Sequence, residues 1–400
     1  MTNLGTQMRQ YEESHPWITF LPKIDDIGYE SWLLLGEALS KFDHLAGVPL
    51  QPHTAEELSR IFLSKGAHAT TQIEGNTLSE EQVRLRVDHD LELPPSQEYL
   101  GQEIDNVVTG YNRIVDDVVQ RHSLVLTVDR ITEFNRIVLK DLTGPDDAPP
   151  GTIRTTSVVV GNHYRGAPAE DCAFLLDRLC QWLGDLRKET IATPLERPVA
   201  VLSAILAHLY IAWIHPFEDG NGRTARLVEY QLLLQAGAPT VAAHVLADHY
   251  NKTRSAYYKE LRATSERPPY RVTGLIKYAL QGLVDGLRQQ IEEIQGQQLG
   301  VTWTNYVHEA FQEKTTPACT RQRQLVLDLP LKWTPKSSIR ELTPQLALAY
   351  ADRGEKAVTR DVNALEAMGL IVKAKRGVVT VVRPKVDALR AFMPLVATSS

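Results

Sequence analysis

The chain of 400 residues contains only three cysteines, Cys172, Cys180 and Cys319. Their spacing fits neither a zinc motif nor a disulfide framework, so we expect a protein of a reducing compartment. Residues 1–17 lack a basic region followed by an apolar run, which argues against a signal peptide. No apolar stretch approaches the ~20 residues that a membrane helix requires. We therefore expect a cytoplasmic protein that makes no contact with a membrane.

The chain also lacks an excess of positive charge, because 43 Lys and Arg face 49 Asp and Glu, for a net charge of -6. This balance excludes a basic field over the whole chain, although local basic patches remain open. Apolar residues make up 43% and charged residues 23%, as in an ordinary soluble globular protein. The length is sufficient for two or three domains with substantial cores.

Helical periodicity dominates, and we find no internal repeat and no low-complexity tract. Residues 150–168 differ, because β-branched residues flank Gly161-Asn162, a pattern that predicts a β-hairpin. After about residue 321, two short helical patterns precede a strand–turn–strand, which is the order of a winged helix. Apolar spacings of three and four predict helices within 29–74 (two), and over about 97–121, 169–187, 197–213, 222–236, 247–264 and 270–296. The second helix within 29–74 has an apolar stripe and a stop signal at Gly75-Asn76; the stripe consists of Leu58, Ile61, Phe62, Ala69 and Ile73.

A dense polar cluster, IHPFEDGNGRTAR, occupies residues 214–226 between two apolar helices. Such a cluster costs stability unless its groups find partners. Gly220 and Gly222 let the backbone approach a ligand closely, and the start of the next helix offers N–H groups with partial positive charge. Arg223 and Arg226 lie three residues apart, so they share one helix face and suit phosphate oxygens. The cluster therefore predicts a site for a polyphosphate.

Two further residues of the cluster suggest chemistry. Asp219 would repel a phosphate unless a hard cation such as Mg²⁺ lies between them. His215 has the pKa range of a general base. Glycine-rich turns and His-Pro dipeptides are also common as purely structural features, but the full set in this order favours function. We predict a diphosphate or triphosphate site with a metal and a base, as in phosphoryl or nucleotidyl transfer.

The segment HPFEDGNGRTAR resembles the signature of Fic proteins, H-x-F-x-(D/E)-G-N-G-R-x-x-R, at every fixed position. The resemblance extends over about residues 15–290. It implies a mainly α fold, with a Fic helical core and a β-hairpin flap. It also implies transfer of AMP from the co-substrate ATP to a protein hydroxyl, with release of pyrophosphate and with Mg²⁺ as cofactor.

The resemblance implies a role for each matching residue. These roles are proton abstraction by His215, anchoring of the loop by Phe217, Mg²⁺ binding by Asp219, an anion hole of Gly220, Asn221 and Gly222, and binding of the outer phosphates by Arg223 and Arg226. Residues 246–261 resemble the segment that closes over adenine and ribose. The resemblance thus implies nucleotide binding by Thr253, where the family often has Asn, so base selectivity stays open. Tyr257 and Tyr258 are expected to be packing residues, although either could border the base.

A second pattern lies upstream. Thr70, Glu74 and Gly75 match (S/T)-x-x-x-E-(G/N), which in the family marks an inhibitory helix across the nucleotide site. The resemblance implies that Glu74 pairs with Arg226 in the place of the γ-phosphate, so that ATP binds unproductively. The alternative is a helix that ends in a solvated carboxylate. The position upstream of a complete Fic motif favours inhibition.

These patterns divide the chain into four regions: an N-terminal helical region with the inhibitory helix (1–95), the Fic catalytic core (96–296), a helical linker (297–330) and a winged-helix domain (331–400). The target protein, which presents a hydroxyl side chain, would dock along the hairpin 151–168 by strand addition. The tail carries basic side chains that suit DNA phosphates, although winged helices also dock proteins. These side chains are Lys356, Arg360, Lys373, Lys375 and Arg376.

Three functions follow as alternatives. The first is a protein adenylyltransferase restrained by Glu74, and the second is a de-AMPylating phosphodiesterase that uses Glu74 to align a water. The third is a nucleotide-sensing DNA-binding regulator, which the intact His215 argues against because pure binding needs no base. The sequence leaves open the target protein, self-modification and a homodimer.

Overall fold

A computed structural model describes residues 9–21, 24–48, 52–120, 125–144, 147–160 and 164–386. The chain divides into two compact units, Met1–Ile291 and Glu292–Ser400. The sequence predicts four regions, a finer division than these two units, and that finer division stays a prediction.

The first unit is mainly α-helical, as predicted. A short 3-10 turn, Ile24–Ile27, precedes the second helix, and another, Pro95–Gln97, precedes the fifth. Its described elements are α1 (Gln10–Ser14), α2 (Tyr29–Ala46), α3 (Pro52–Ile73), α4 (Glu80–Val87), α5 (Glu98–Val119), α6 (Val128–Val138), β1 (Val159–Val160), β2 (Tyr164–Arg165), α7 (Ala169–Thr190), α8 (Glu196–Ile214), α9 (Asn221–Gln235), α10 (Val245–Lys252), α11 (Arg254–Glu266) and the start of α12 (Thr273–Ala310).

Helix α8 lies in the centre of this unit and packs against α7 and α9. It is long and apolar enough to cross a membrane by length and composition, so the sequence-based statement that no stretch approaches this length is wrong. However, 78% of its most apolar window is buried inside the protein. A helix that is apolar on all faces can be the core helix of a compact unit, and α8 has this place here.

Helix α3 matches its prediction closely. Leu58, Phe62 and Ile73 of the predicted apolar stripe are buried, and Ile61 is half-buried. The helix ends at Ile73 because Gly75 adopts a φ of 106°, a left-handed conformation that favours glycine.

The predicted hairpin is present and antiparallel. Val159 pairs with Arg165 and Val160 with Tyr164. The predicted turn at Gly161-Asn162 lies outside the described residues.

One predicted helix, 247–264, is divided in the structure into α10 and α11. The break is at Thr253, with φ -117° and ψ 36°. Its hydroxyl donates to the carbonyl of His249 four residues earlier, at 2.7 Å, and lies 2.5 Å from the Tyr278 hydroxyl. A threonine that bonds back to the preceding turn competes with regular helix geometry, which the apolar periodicity does not record.

The second unit contains the end of α12, then α13 (Pro317–Asp328), α14 (Pro344–Ala349) and α15 (Glu355–Ala367), with strands β3 (Thr334–Pro335), β4 (Ile371–Arg376) and β5 (Val379–Pro384). The strands form an antiparallel sheet in the order β3-β5-β4. Two helices followed by a hairpin agree with the predicted order, and the winged-helix assignment stays a prediction. The segment predicted as a linker contributes to the core of this unit through Leu299, Trp303, Val307, Phe311, Leu325 and Val326.

Candidate active site

The polar cluster forms a short loop between α8 and α9. His215 caps α8 with a φ of 50°, in the left-handed region, and Pro216 prevents the helix from continuing. Gly220 has a φ of 74° and precedes the first residue of α9. The first N–H groups of α9 have no carbonyl within the helix to bond, so this terminus can bind an anion.

The loop is braced from inside. Phe217 is buried with 1% exposure, which agrees with its expected anchoring role. The Asn221 side chain accepts from the Phe217 N–H at 2.9 Å and donates to the Phe217 carbonyl at 2.8 Å. Because Asn221 uses both ends of its amide within the loop, its side chain fixes the shape of the loop, and its backbone N–H is the group left for an anion.

Arg226 is bound by the end of α3. Its Nε donates to Thr70 Oγ1 at 2.7 Å, and its Nη2 donates to the Thr70 carbonyl at 2.9 Å and to Glu74 Oε1 at 2.5 Å. Its side chain is 1% exposed, and that of Glu74 is 32% exposed. A Cβ placed on Gly222 would collide with Glu74 Oε1, so this carboxylate lies directly against the start of α9. Glu74 therefore occupies an anion position at both Arg226 and the helix terminus.

The charges of this pair stabilise each other. Burial raises the pKa of Glu74, but the charge and hydrogen bond of Arg226, with smaller contributions from Arg223 and His215, lower it by more, so the pKa lies below its usual range. Burial lowers the pKa of Arg226, but Glu74, together with Tyr257 and Tyr111, raises it by more, so the pKa lies above its usual range. Both side chains are charged at neutral pH, and the pair is lost only when acid protonates Glu74.

Arg223 is also paired with carboxylates. Its Nη1 donates to Glu103 Oε1 on α5 at 3.0 Å, and its Nη2 donates to Asp219 Oδ2 at 3.3 Å. Glu103 in turn accepts from Asn76 at 2.8 Å. The Asp219 side chain is 74% exposed, so it is accessible to a cation from solvent. Glu103 was not predicted, because it lies 120 residues from Arg223 in the sequence.

His215 is half-buried beside the flap. Burial and the cation of Arg154 lower its pKa to about 4, although the carboxylates of Glu74 and Asp219 act in the opposite direction. The imidazole is therefore neutral at pH 7 and can accept a proton. Gly166 of the flap leaves room for His215, because a Cβ there would lie 2.9 Å from the His215 Cβ.

Arg154, which the sequence analysis missed, connects the flap to this loop. It is 3% exposed, and its Nε donates to the His215 carbonyl at 2.7 Å. Its Nη1 donates to the Thr156 carbonyl at 2.6 Å, and its Nη2 donates to the Ala167 carbonyl. The Arg154 N–H donates to the Pro216 carbonyl at 2.9 Å. The only sequence signal was an arginine within a β-branched segment, which does not indicate these partners.

The predicted nucleotide-binding residue Thr253 lies at the corner between α10 and α11, and its hydroxyl is used there by His249 and Tyr278. Tyr257, predicted as a packing residue, is buried and lies 2.8 Å from His208 Nε2. Tyr258 is 43% exposed. The remaining predicted residues converge around the start of α9.

Among the residues that the structure describes, no group of three or more His, Cys, Asp or Glu side chains is arranged to hold a metal ion. Asp219 is a single exposed carboxylate beside the anion-binding terminus. This arrangement fits Mg²⁺, which usually retains several waters and takes one or two carboxylates together with phosphate oxygens.

Comparison with known proteins agrees with this geometry. The family model of the Fic/DOC family matches residues 125–233, which include α8, the loop and all but the last two residues of α9. The chain carries a Fic domain. The protein adenylyltransferase fic-1 of Caenorhabditis briggsae is 32% identical over 197 residues, which are 49% of this chain and 35% of that protein. The protein adenylyltransferase Fic of Nematostella vectensis is 29% identical over 244 residues, 60% of this chain and 54% of that protein.

Solved structures show the same fold. A Fic family protein from Desulfovibrio desulfuricans G20 has a TM-score of 0.54 and 18% identity, covering 89% of this chain and 96% of the other. Fic-1 from Caenorhabditis elegans has a TM-score of 0.55 and 23% identity, and the match covers 67% of this chain and 73% of the other. The chain spans between about a third and about a half of the length of these two curated relatives. The similarity therefore concerns their Fic domain and does not extend to the rest of either protein.

Proposed function

We propose that this protein is an adenylyltransferase that transfers AMP from ATP to a Ser, Thr or Tyr hydroxyl of a target protein and releases pyrophosphate. The observation that carries the proposal is the position of His215, half-buried in the loop that leads to the anion-binding start of α9, where burial lowers the pKa of the imidazole. The relatives named protein adenylyltransferase support this reaction over other phosphate chemistry.

The reaction follows from the positions of these groups. His215 takes the proton of the target hydroxyl, and the oxygen attacks the α-phosphorus. A new phosphorus–oxygen ester bond forms, the bond to the β-phosphate oxygen breaks, and pyrophosphate leaves with that electron pair. The N–H groups at the start of α9 stabilise the charge on the phosphate oxygens. Asp219 would hold Mg²⁺, which when bound neutralises phosphate charge.

Glu74 restrains this reaction in our proposal. Its carboxylate lies 2.5 Å from Arg226 and against Gly222, where the outer phosphate of ATP would otherwise bind. Two anions cannot share this position, so ATP binds with its α-phosphate away from His215. The de-AMPylating alternative uses the same carboxylate to align a water, and the assay below separates the two.

The flap offers a docking edge for the target. Val159 and Val160 of β1 are 58% and 38% exposed. On the neighbouring strand β2, the Arg165 carbonyl already has a partner, because His15 Nε2 lies 3.0 Å from it. The outer edge of β1 is therefore the one that supports addition of an extended target segment.

We propose DNA binding as a second function, located in the second unit. Lys356 and Arg360 are exposed on α15, and Lys375 is exposed on β4. Lys373 of β4 donates to Asn363 of α15 at 2.7 Å, which brings the strand beside the exposed face of the helix. Such a cluster suits the phosphates of a DNA duplex.

DNA binding is tested with a labelled duplex and the full-length protein. The protein should bind the duplex at low salt and release it at high salt. Lys356→Glu should weaken binding more than Lys259→Glu, which makes the same charge change in the first unit.

The transferase proposal is tested with ATP labelled on the α-phosphate, with and without cell lysate. Transfer of label to a protein, including this protein itself, supports the proposal, and His215→Ala should abolish it while retaining ATP binding. Release of AMP from a pre-modified target, with no transfer in any variant, would identify the hydrolytic function instead.

A further inference from the structure

The C-terminal turn of α3 is held by the corner between α10 and α11. The Arg254 guanidinium donates through Nη2 to the Ile73 carbonyl at 2.5 Å, and its Nη1 lies 3.4 Å from the Gln72 carbonyl. Asn251 donates to the Gln72 side chain at 2.6 Å. These two residues flank Thr253, so both sides of the corner contact one helical turn.

This turn determines where Glu74 lies. Ile73 is the last residue of α3, and Glu74 follows it directly. The final carbonyls of a helix have no intrahelical donor and carry partial negative charge, so a guanidinium there stabilises the helix end. The N–H groups of Glu74 and Asn76 both donate to the Thr71 carbonyl, at 3.0 and 3.1 Å, and thereby continue the same turn beyond the helix.

The two ends of the last turn of α3 are bound by different arginines. Thr70, one turn earlier, is bound by Arg226, whereas Ile73 is bound by Arg254. Glu74 therefore lies just after a helical turn fixed on both sides, once by α9 and once by the α10–α11 corner. We expect that loss of the second anchor loosens the turn between Thr70 and Gly75, whose φ of 106° marks the chain reversal.

We propose that Arg254 is a positioning residue for the inhibitory carboxylate: it holds the last turn of α3 so that Glu74 stays on Arg226. The inference rests on the proposed restraint by Glu74 and adds a second residue to it. Because Arg254 adjoins Thr253, any movement of the α10–α11 corner is transmitted to Glu74 by way of Ile73.

The experiment compares Arg254→Gln with Arg262→Gln, which removes the same charge from an exposed position on the same helix. AMP transfer is measured for both, in the natural background and in the Glu74→Gly background. We expect Arg254→Gln to raise transfer by about 3- to 10-fold when Glu74 is present, because a charge-assisted hydrogen bond is lost at a partly exposed site. The increase should be absent without Glu74, and Arg254→Lys should partly restore restraint.

A structural measurement accompanies the assay. Hydrogen exchange of the amides of residues 74–76 should become at least about 3-fold faster in Arg254→Gln and stay unchanged in Arg262→Gln. The proposal is overturned if exchange does not change, or if Arg254→Gln has the same effect on transfer in both backgrounds. If no variant transfers AMP, including Glu74→Gly, the transferase proposal fails, and the exchange measurement alone decides the role of Arg254.

Discussion

Replacement of Glu74 by glycine should increase AMP transfer. The carboxylate makes a 2.5 Å charge-assisted bond to Arg226, a type of bond that contributes ~1.5–3 kcal/mol. Since 32% of the Glu74 side chain is exposed, screening favours the lower part of this range, about 1.5–2 kcal/mol. At 1.36 kcal/mol per factor of ten, removal of the competitor gives about 10- to 30-fold more transfer.

The variant should remain competent because Arg226 keeps its other anchors. Its bonds to the Thr70 hydroxyl and carbonyl, at 2.7 and 2.9 Å, do not involve Glu74. The guanidinium therefore stays oriented toward the start of α9, where the outer phosphate would bind. If Glu74→Gly only destabilised the fold, AMP transfer would fall. Loss of inhibition and loss of stability therefore predict opposite changes in activity.

The assay measures transfer of α-labelled AMP at equal protein concentrations for three variants. Glu74→Gln removes the charge and keeps the size, and should also activate. Glu57→Gly introduces the same glycine at an exposed position of α3 and should not activate. A folded, ATP-binding Glu74→Gly protein that is no more active than the natural one would refute the inhibitory role of Glu74.

Three further predictions concern other parts of the first unit. In the Glu74→Gly background, transfer should stay level from pH 8 to pH 6, because His215, with its pKa lowered to about 4, remains neutral there; a half-loss near pH 6.5 would show an unperturbed imidazole. Asp219→Ala and excess chelator should each abolish transfer, and full activity in chelator would contradict the magnesium assignment. Gly66→Ala should destabilise the fold by about 1–3 kcal/mol in denaturant unfolding, because its Cβ would collide with the His244 ring, whereas Gly36→Ala, with no atom within 4 Å, should not.

Local features were predictable from the sequence because their causes are local. The apolar stripe of α3 and the stop at Gly75 depend on residues within a few positions of each other, and both are present. The pairing of Glu74 with Arg226 spans 152 residues and was expected only through the resemblance of two motifs. Without that resemblance, Glu74 would have been assigned to solvent.

Other contacts of the site had no local cause. Arg154 reaches the carbonyl of His215, 61 residues away, and Arg223 reaches Glu103, 120 residues away. A single arginine or glutamate on a helix or flap carries no signal of its distant partner. The break at Thr253 was missed for a related reason, because the competing hydroxyl bond is not part of the apolar pattern.

The burial of the two arginines gives a physical reason for the restraint that we propose for Glu74. The side chains of Arg226 and Arg223 are 1% and 5% exposed. A buried cation without an anion is strongly destabilising, so each arginine needs a partner when ATP is absent. Glu103 supplies one from within α5, whereas Glu74 supplies the other from just beyond the end of α3. A carboxylate at a helix end can be displaced with little change in packing, so Glu74 balances the buried charge of Arg226 and is, in our proposal, the partner that an incoming phosphate replaces.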